Sequence, residues 1–190
     1  MDTQLFTGEL VRLAAPNPDT DAEALTRWSR DSEYGRLMDN RPAIPRSVGW
    51  TRDWLSRDVD DSRLRFHIRT LSDDRLLGTV DIEVDHWPHG EGWVGIDIGD
   101  RDEWGKGYGT DAMRVMLRYA FVELNLHRVS LNVFEYNPRA IRSYEKCGFV
   151  REGRRRQALN RDGRRWDVIH MGILREEWLD GVQLSVSSNR

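Results

Sequence analysis

The chain of 190 residues carries 32 acidic side chains against 29 Lys and Arg, a formal net charge of -3, and is 38% hydrophobic and 32% charged. This gives no global attraction to DNA, RNA or an anionic membrane, and leaves enough apolar residues for one core, so a single domain is expected over residues 1–180 with a polar tail at 181–190. The lone Cys147 excludes an internal disulfide and a cysteine-built zinc site, no uncharged run approaches membrane-spanning length, and the start lacks a basic-then-apolar leader, so a cytoplasmic protein is expected.

In chain order, Glu9 to Leu13 reads as a first strand, ended by Pro16 and Pro18. Asp19 or Thr20 is expected to cap a helix over Ala22, Leu25 and Trp28. A second helical stretch falls between Asp31 and Asn40, the segment Arg41 to Arg46 reads as a loop, and Ser47 starts a helix carrying Trp50, Trp54, Leu55 and Val59. Alternation in Arg65 to Leu71 and Leu76 to Val84, around Ser72-Asp73-Asp74, predicts an antiparallel hairpin. After a polar loop from Asp85 to Gly92, Trp93 to Gly99 makes the next strand. Ala112, Met113, Met116, Leu117, Ala120, Phe121 and Leu124 recur at spacings of three and four, one helix face. His127 to Phe134 is a strand, Asn137-Pro138 opens a helix that Gly148 stops, and Asn160 to Gly163 turns a hairpin whose last strand is Trp166 to Leu174. In the tail, Val182, Leu184 and Val186 alternate and suggest strand pairing with a partner.

Between the strand at Trp93 and the long helix lies Trp104-Gly105-Lys106-Gly107-Tyr108-Gly109-Thr110. Alternate glycines permit a tight turn whose N–H groups converge, and the positive end of the helix reinforces them, an arrangement suited to pyrophosphate. A nucleotide-hydrolysing P-loop needs its Lys followed by Ser or Thr, and a dinucleotide fold needs repeated strand-helix units rather than a meander. Neither pattern is present.

With Asn125-Leu126-His127-Arg128-Val129 and the run from Asn137 to Phe149 (NPRAIRSYEKCGF), this segment resembles the GCN5-related N-acyltransferase superfamily, in the branch of ribosomal-protein alanine and spermidine acetyltransferases. The resemblance spans Leu10 to Trp178. It implies an α/β (α+β) fold: a mixed, mostly antiparallel seven-stranded sheet with splayed central strands, flanked by helices. It also implies acetyl-CoA, with pyrophosphate on the N–H groups of Gly105, Lys106, Gly107, Gly109 and Thr110. Ile96, Asp97, Ile98 and Gly99 would offer peptide groups to the pantetheine, and Trp104, Tyr108, Asn137, Arg142 and Tyr144 complete the expected cofactor set. The superfamily usually has Arg or Gln where Trp104 stands.

Acyl transfer to an amine needs a neutral nucleophile and a proton for the departing thiolate. The resemblance makes Tyr144 the acid. For the base, Trp93 occupies the place where several relatives carry glutamate, and Glu91 just before it does not align. Asp97 interrupts an apolar strand beside the expected acyl site and is the first choice, with Glu83 and Asp81 second. The five histidines show no metal-ligand spacing, and no metal is expected. Ser and His residues make no recognisable nucleophilic constellation, so direct transfer in a ternary complex is expected rather than an acyl-enzyme. A protein amino terminus is the first acceptor, a polyamine or amino-sugar the second, and a non-catalytic acyl-CoA-binding protein the alternative of a different class. Carboxylates from Asp81 to Glu103 suggest an acidic mouth, and arginines from Arg151 to Arg165 a basic patch; nucleic acid is not expected as a partner. The tryptophan-bearing helices between Trp28 and Trp54, and Val182 to Val186, suggest a homodimer contact.

Overall fold

A computed structural model describes residues 4–57 and 62–188, so Val59 lies outside the described residues. Seven strands form one sheet in the order β1-β2-β3-β4-β5-β7-β6. They are β1 (Val11–Ala14), β2 (Arg63–Thr70), β3 (Leu76–His86), β4 (Glu91–Ile98), β5 (Arg128–Phe134), β6 (Val150–Arg161) and β7 (Arg164–Leu174). Neighbours run antiparallel except β4 and β5, which are parallel. The expected polar loop from Asp85 to Gly92 is shorter than its composition suggests. β3 and β4 pair as far as His86 and Glu91, leaving one turn of 3-10 helix at Trp87–His89.

The helices are α1 (Pro18–Ser29), α2 (Ser32–Met38), α3 (Val48–Leu55), α4 (Tyr108–Arg118), α5 (Pro138–Glu145) and α6 (Arg175–Ser188). The cap of α1 is Asn17, not Asp19 or Thr20: its side chain accepts from both their N–H groups, and Pro18, having no N–H to leave unpaired, fills the first helical position. Asp31, Ser47 and Asn137 cap α2, α3 and α5 through side chains. The segment from Gly181 to Ser188 is not an irregular tail or a pairing strand; α6 runs through it, started by Glu176 and Glu177 in its first turn with no proline to break it.

The apolar stripe of α4 packs Met113, Met116 and Leu117 on Val80, Ile82 and Val94 from one sheet face. Residues one position out of phase face α1 and α2 on the other side: His67 meets Asp21, and Asp97 meets Tyr34. Trp28 is buried there, and a Cβ on Gly99 would fall 1.9 Å from its indole, so this tryptophan is unavailable to a second copy of the chain. Trp50 and Trp54 stack in parallel, with the Arg46 and Arg65 guanidiniums over their faces.

Asp111, in the first turn of α4, fixes the amino-terminal segment. Its buried carboxylate accepts the N–H groups of Glu9, Leu10 and Val11 at 3.1, 2.7 and 3.0 Å. Asp111→Ala leaves these donors unpaired and is expected to lower stability by about 3 kcal/mol. Urea unfolding would show a lower midpoint at unchanged slope; an unmoved midpoint would reject the role.

Candidate active site

β4 and β5 are joined by only three residue pairs, from Glu91↔Arg128 to Trp93↔Ser130, and then diverge. At this vertex Ser130 Oγ donates to Glu91 at 3.2 Å and receives Arg128 Nε at 3.0 Å, while Arg128 also pairs with Glu152. Glu91 is thus occupied in holding the strands together. Beyond the vertex a cleft of about 370 Å³ opens between β4, the start of α4, α5 and α2.

Antiparallel alternation decides which β4 peptide groups face it. Gly99 N–H bonds Leu77 on β3, so the peptide groups of Asp97 and Gly95 also point to β3, and those of Ile96 and Ile98 point into the gap. Ile98 C=O receives Trp104 Nε1 at 2.8 Å. Of the expected pantetheine-facing stretch, Ile96 keeps both its peptide groups turned to the cleft, whereas Gly99 is directed to β3 and serves the packing of Trp28.

Gly105 and Gly107 have φ of +80° and +94°, left-handed conformations that a Cβ disfavours. Gly107 caps α4 with no side-chain hydrogen bond, unlike α1, α2, α3 and α5. The helix geometry leaves the N–H groups of Tyr108, Gly109 and Thr110 without intrahelical acceptors, and these residues line the cleft. This uncapped helix start fits a pyrophosphate, so the donor set suits acetyl-CoA. Lys106 turns elsewhere, its ammonium 3.1 Å from Glu103, which restricts its expected part to its N–H. Trp104 carries Arg139 on its indole at 3.6 Å, a cleft-lining cation that the sequence reading missed. Asn137, Arg142 and Tyr144 all line the cleft from the α5 side, and Thr110 and Ser143 hydroxyls meet at 2.7 Å.

Tyr144 has no hydrogen bond to its hydroxyl among the described residues, and burial, with the charges of Cys147 and Asp97, pushes its pKa well up. Asp97 lines the same cleft. Tyr34 Oη donates to one carboxylate oxygen at 2.8 Å, and Thr79 Oγ1 donates to the other. Burial raises its pKa to about 6 against the pull of those two donors, with Asp81 adding to the rise. Glu83 is not brought to the cleft: it lies at the β2 side, 3.7 Å from Arg63, which also pairs with Asp81 at 2.6 Å. The acidic mouth is therefore largely neutralised, since Asp100 meets Arg27 and Glu103 meets Arg75. The basic patch is partly internal as well. Arg161 donates to the carbonyls of Arg36 and Asp39, tying the hairpin to the end of α2, and Arg154 faces Asp167. Tyr34 and Thr79 were not singled out in the sequence; only the register of β3 on β4 and the place of α2 bring them to Asp97.

Residues 11–150 match the family described as the acetyltransferase (GNAT) domain. An uncharacterised, prophage-derived N-acetyltransferase of Bacillus subtilis is 31% identical over 179 residues, 94% of this chain and 97% of that one. A spermidine N(1)-acetyltransferase of Vibrio cholerae is 33% identical over 125 residues, 66% of this chain and 72% of that one. The crystal structure of spermidine N-acetyltransferase from Vibrio cholerae in complex with CoA and spermine superposes with a TM-score of 0.79 at 26% identity, covering 89% of this chain and 98% of that one.

Proposed function

The chain belongs to the GNAT acetyltransferase family, enzymes that move an acetyl group from acetyl-CoA to an amine, and on that premise we propose that its acceptor is a small-molecule amine of the polyamine type. The observation that carries this reading is the likeness, in sequence and in fold, to spermidine acetyltransferases. It displaces the protein amino terminus that the sequence put first.

Acetyl-CoA supplies an activated thioester carbonyl. The chain's own groups then divide the proton handling. The start of α4 and Ile96 hold the cofactor arm, and Asp97, ionised above about pH 6, takes a proton from the acceptor nitrogen as that nitrogen bonds to the carbonyl carbon. Tyr144, still protonated at any working pH, donates to the sulfur as the C–S bond breaks. Product leaves with the amide formed, and Asp97 returns its proton to solvent while Tyr144 regains one.

The test is thiol release from acetyl-CoA with spermidine, spermine, an amino-sugar and peptides bearing free amino termini, each product identified by mass. Acetylated polyamine with little peptide product is the expected result. Peptide acetylation alone would restore the first acceptor, and tight CoA binding with no product across the panel would favour a binding protein.

A further inference from the structure

Arg139 is the second residue of α5, half-buried in the wall of the cleft, and its surroundings are poor for a cation. The start of a helix carries partial positive charge and favours carboxylates, yet α5 has none in its first turn. Burial acts against the charge of the guanidinium, and the one carboxylate that attracts it, Glu33, is paired with Arg101. The side chain itself has no hydrogen bond or ion pair among the described residues. Arg142 and Lys146 line the same cleft, but they are exposed, where water solvates the charge.

What Arg139 does have is the indole face of Trp104, 3.6 Å from the guanidinium carbon to the ring centre. That ring is itself pinned, since its Nε1 donates to Ile98 C=O at 2.8 Å. Ser143 lies four residues on, one turn along the same face of α5, and its hydroxyl meets that of Thr110 at 2.7 Å. Arg139 therefore stands alongside the glycine turn, its guanidinium over Trp104 where the turn begins and its helix face against Thr110 where the turn ends. Between these two contacts in the chain come Tyr108 and Gly109, whose N–H groups have no intrahelical acceptor.

We infer that Arg139, held on Trp104, is the counter-charge to the pyrophosphate of the cofactor: the guanidinium closes on the anion from α5 while the start of α4 holds it from the other side. The pyrophosphate gives Arg139 the negative partner that the protein does not. Stacking on the indole fixes the guanidinium plane, which suits paired N–H bonds to phosphate oxygens and leaves less side-chain freedom to lose on binding. The tryptophan that stands where the superfamily usually has Arg or Gln is then a platform, and the cation it carries comes from α5.

The inference concerns cofactor binding and not the acceptor, so calorimetric titration of CoA into the full chain tests it without turnover. Arg139→Gln deletes the charge and is expected to weaken CoA by about 20-fold, the size of one charged hydrogen-bonded contact. Dephospho-CoA, which lacks the 3'-phosphate, should weaken by the same factor. Arg139→Lys keeps a point charge without the planar fork and should fall between. Trp104→Leu should weaken both ligands and add little in the Arg139→Gln background, because the ring acts through the guanidinium. Pantetheine, which bears no phosphate, should bind wild type and Arg139→Gln alike. Unchanged CoA affinity in Arg139→Gln overturns the inference, as does a loss with CoA that dephospho-CoA does not share, which would put the guanidinium on the 3'-phosphate. An equal loss with pantetheine would make Arg139 a packing residue and overturn it too, and an equal factor for Trp104→Leu in both backgrounds would overturn the platform. An acceptor panel without acetylated polyamine would sink the proposed substrate and leave these titrations untouched.

Discussion

Asp97→Asn is expected to make the enzyme about 100-fold slower in kcat/KM and, at neutral pH, more stable. The activity loss follows from deleting the proton acceptor; the wild-type profile should fall as pH drops through about 6, and the variant should lack that limb. The stability gain follows from linkage. The carboxyl titrates near 3.8 in the unfolded chain and near 6 in the folded one, so the folded state binds a proton that the unfolded state has lost between those values. Asp97 is therefore neutral to stability below pH 4 and increasingly unfavourable as pH rises to 6, at most by about 3 kcal/mol for a shift of this size. The Tyr34 and Thr79 hydroxyls can donate to an amide oxygen or accept from its nitrogen, so asparagine keeps the contacts without the buried charge. Denaturant unfolding at pH 8 should show the variant ahead of wild type and at pH 4 the two should coincide. A variant as active as wild type removes the base; a variant less stable at pH 8 shows that the carboxylate's hydrogen bonds outweigh its desolvation.

Much of this site is local in the sequence, and that part was legible. The turn at Gly105 to Thr110, the α4 stripe, the Asn137 cap and Tyr144 all lie within one strand-helix-strand-helix run, where spacing and turn chemistry act over a few residues. Asp97 stood out as a carboxylate interrupting an apolar strand. Glu83 and Asp81, on the neighbouring strand, were the second choices, and no local signal distinguishes a carboxylate in a cleft from one beside Arg63; the β2–β3 register decides that. The cap of α1 was displaced because Asn17, Asp19 and Thr20 are all good caps, and only the backbone at Pro18 ranks them. The tail was misread because period-two apolar spacing over five residues is too short a sample to exclude a helix. Tyr34 and Thr79 reach Asp97 from 63 and 18 positions away, contacts that depend on the completed sheet and on α2 lying across it.

Tyr144→Phe is expected to lower kcat by about 100-fold while leaving CoA affinity and stability nearly unchanged. The hydroxyl has no partner among the described residues to lose, and the ring's edge-on contact with Phe149, at 6.0 Å between centroids, survives in phenylalanine. An interaction made only as the thiolate departs lowers kcat and kcat/KM alike. Two further readings separate an acid from a merely packed aromatic. Since burial holds the phenol protonated far above neutrality, wild-type activity should show no alkaline fall attributable to Tyr144 over pH 7 to 9. With an acyl donor whose thiol is itself more acidic, the departing sulfur no longer needs a proton, and the deficit of the phenylalanine variant should shrink toward unity. A deficit that stays constant across donors would assign Tyr144 to holding the cofactor, and the proton for the thiolate would then have to reach the cleft from water.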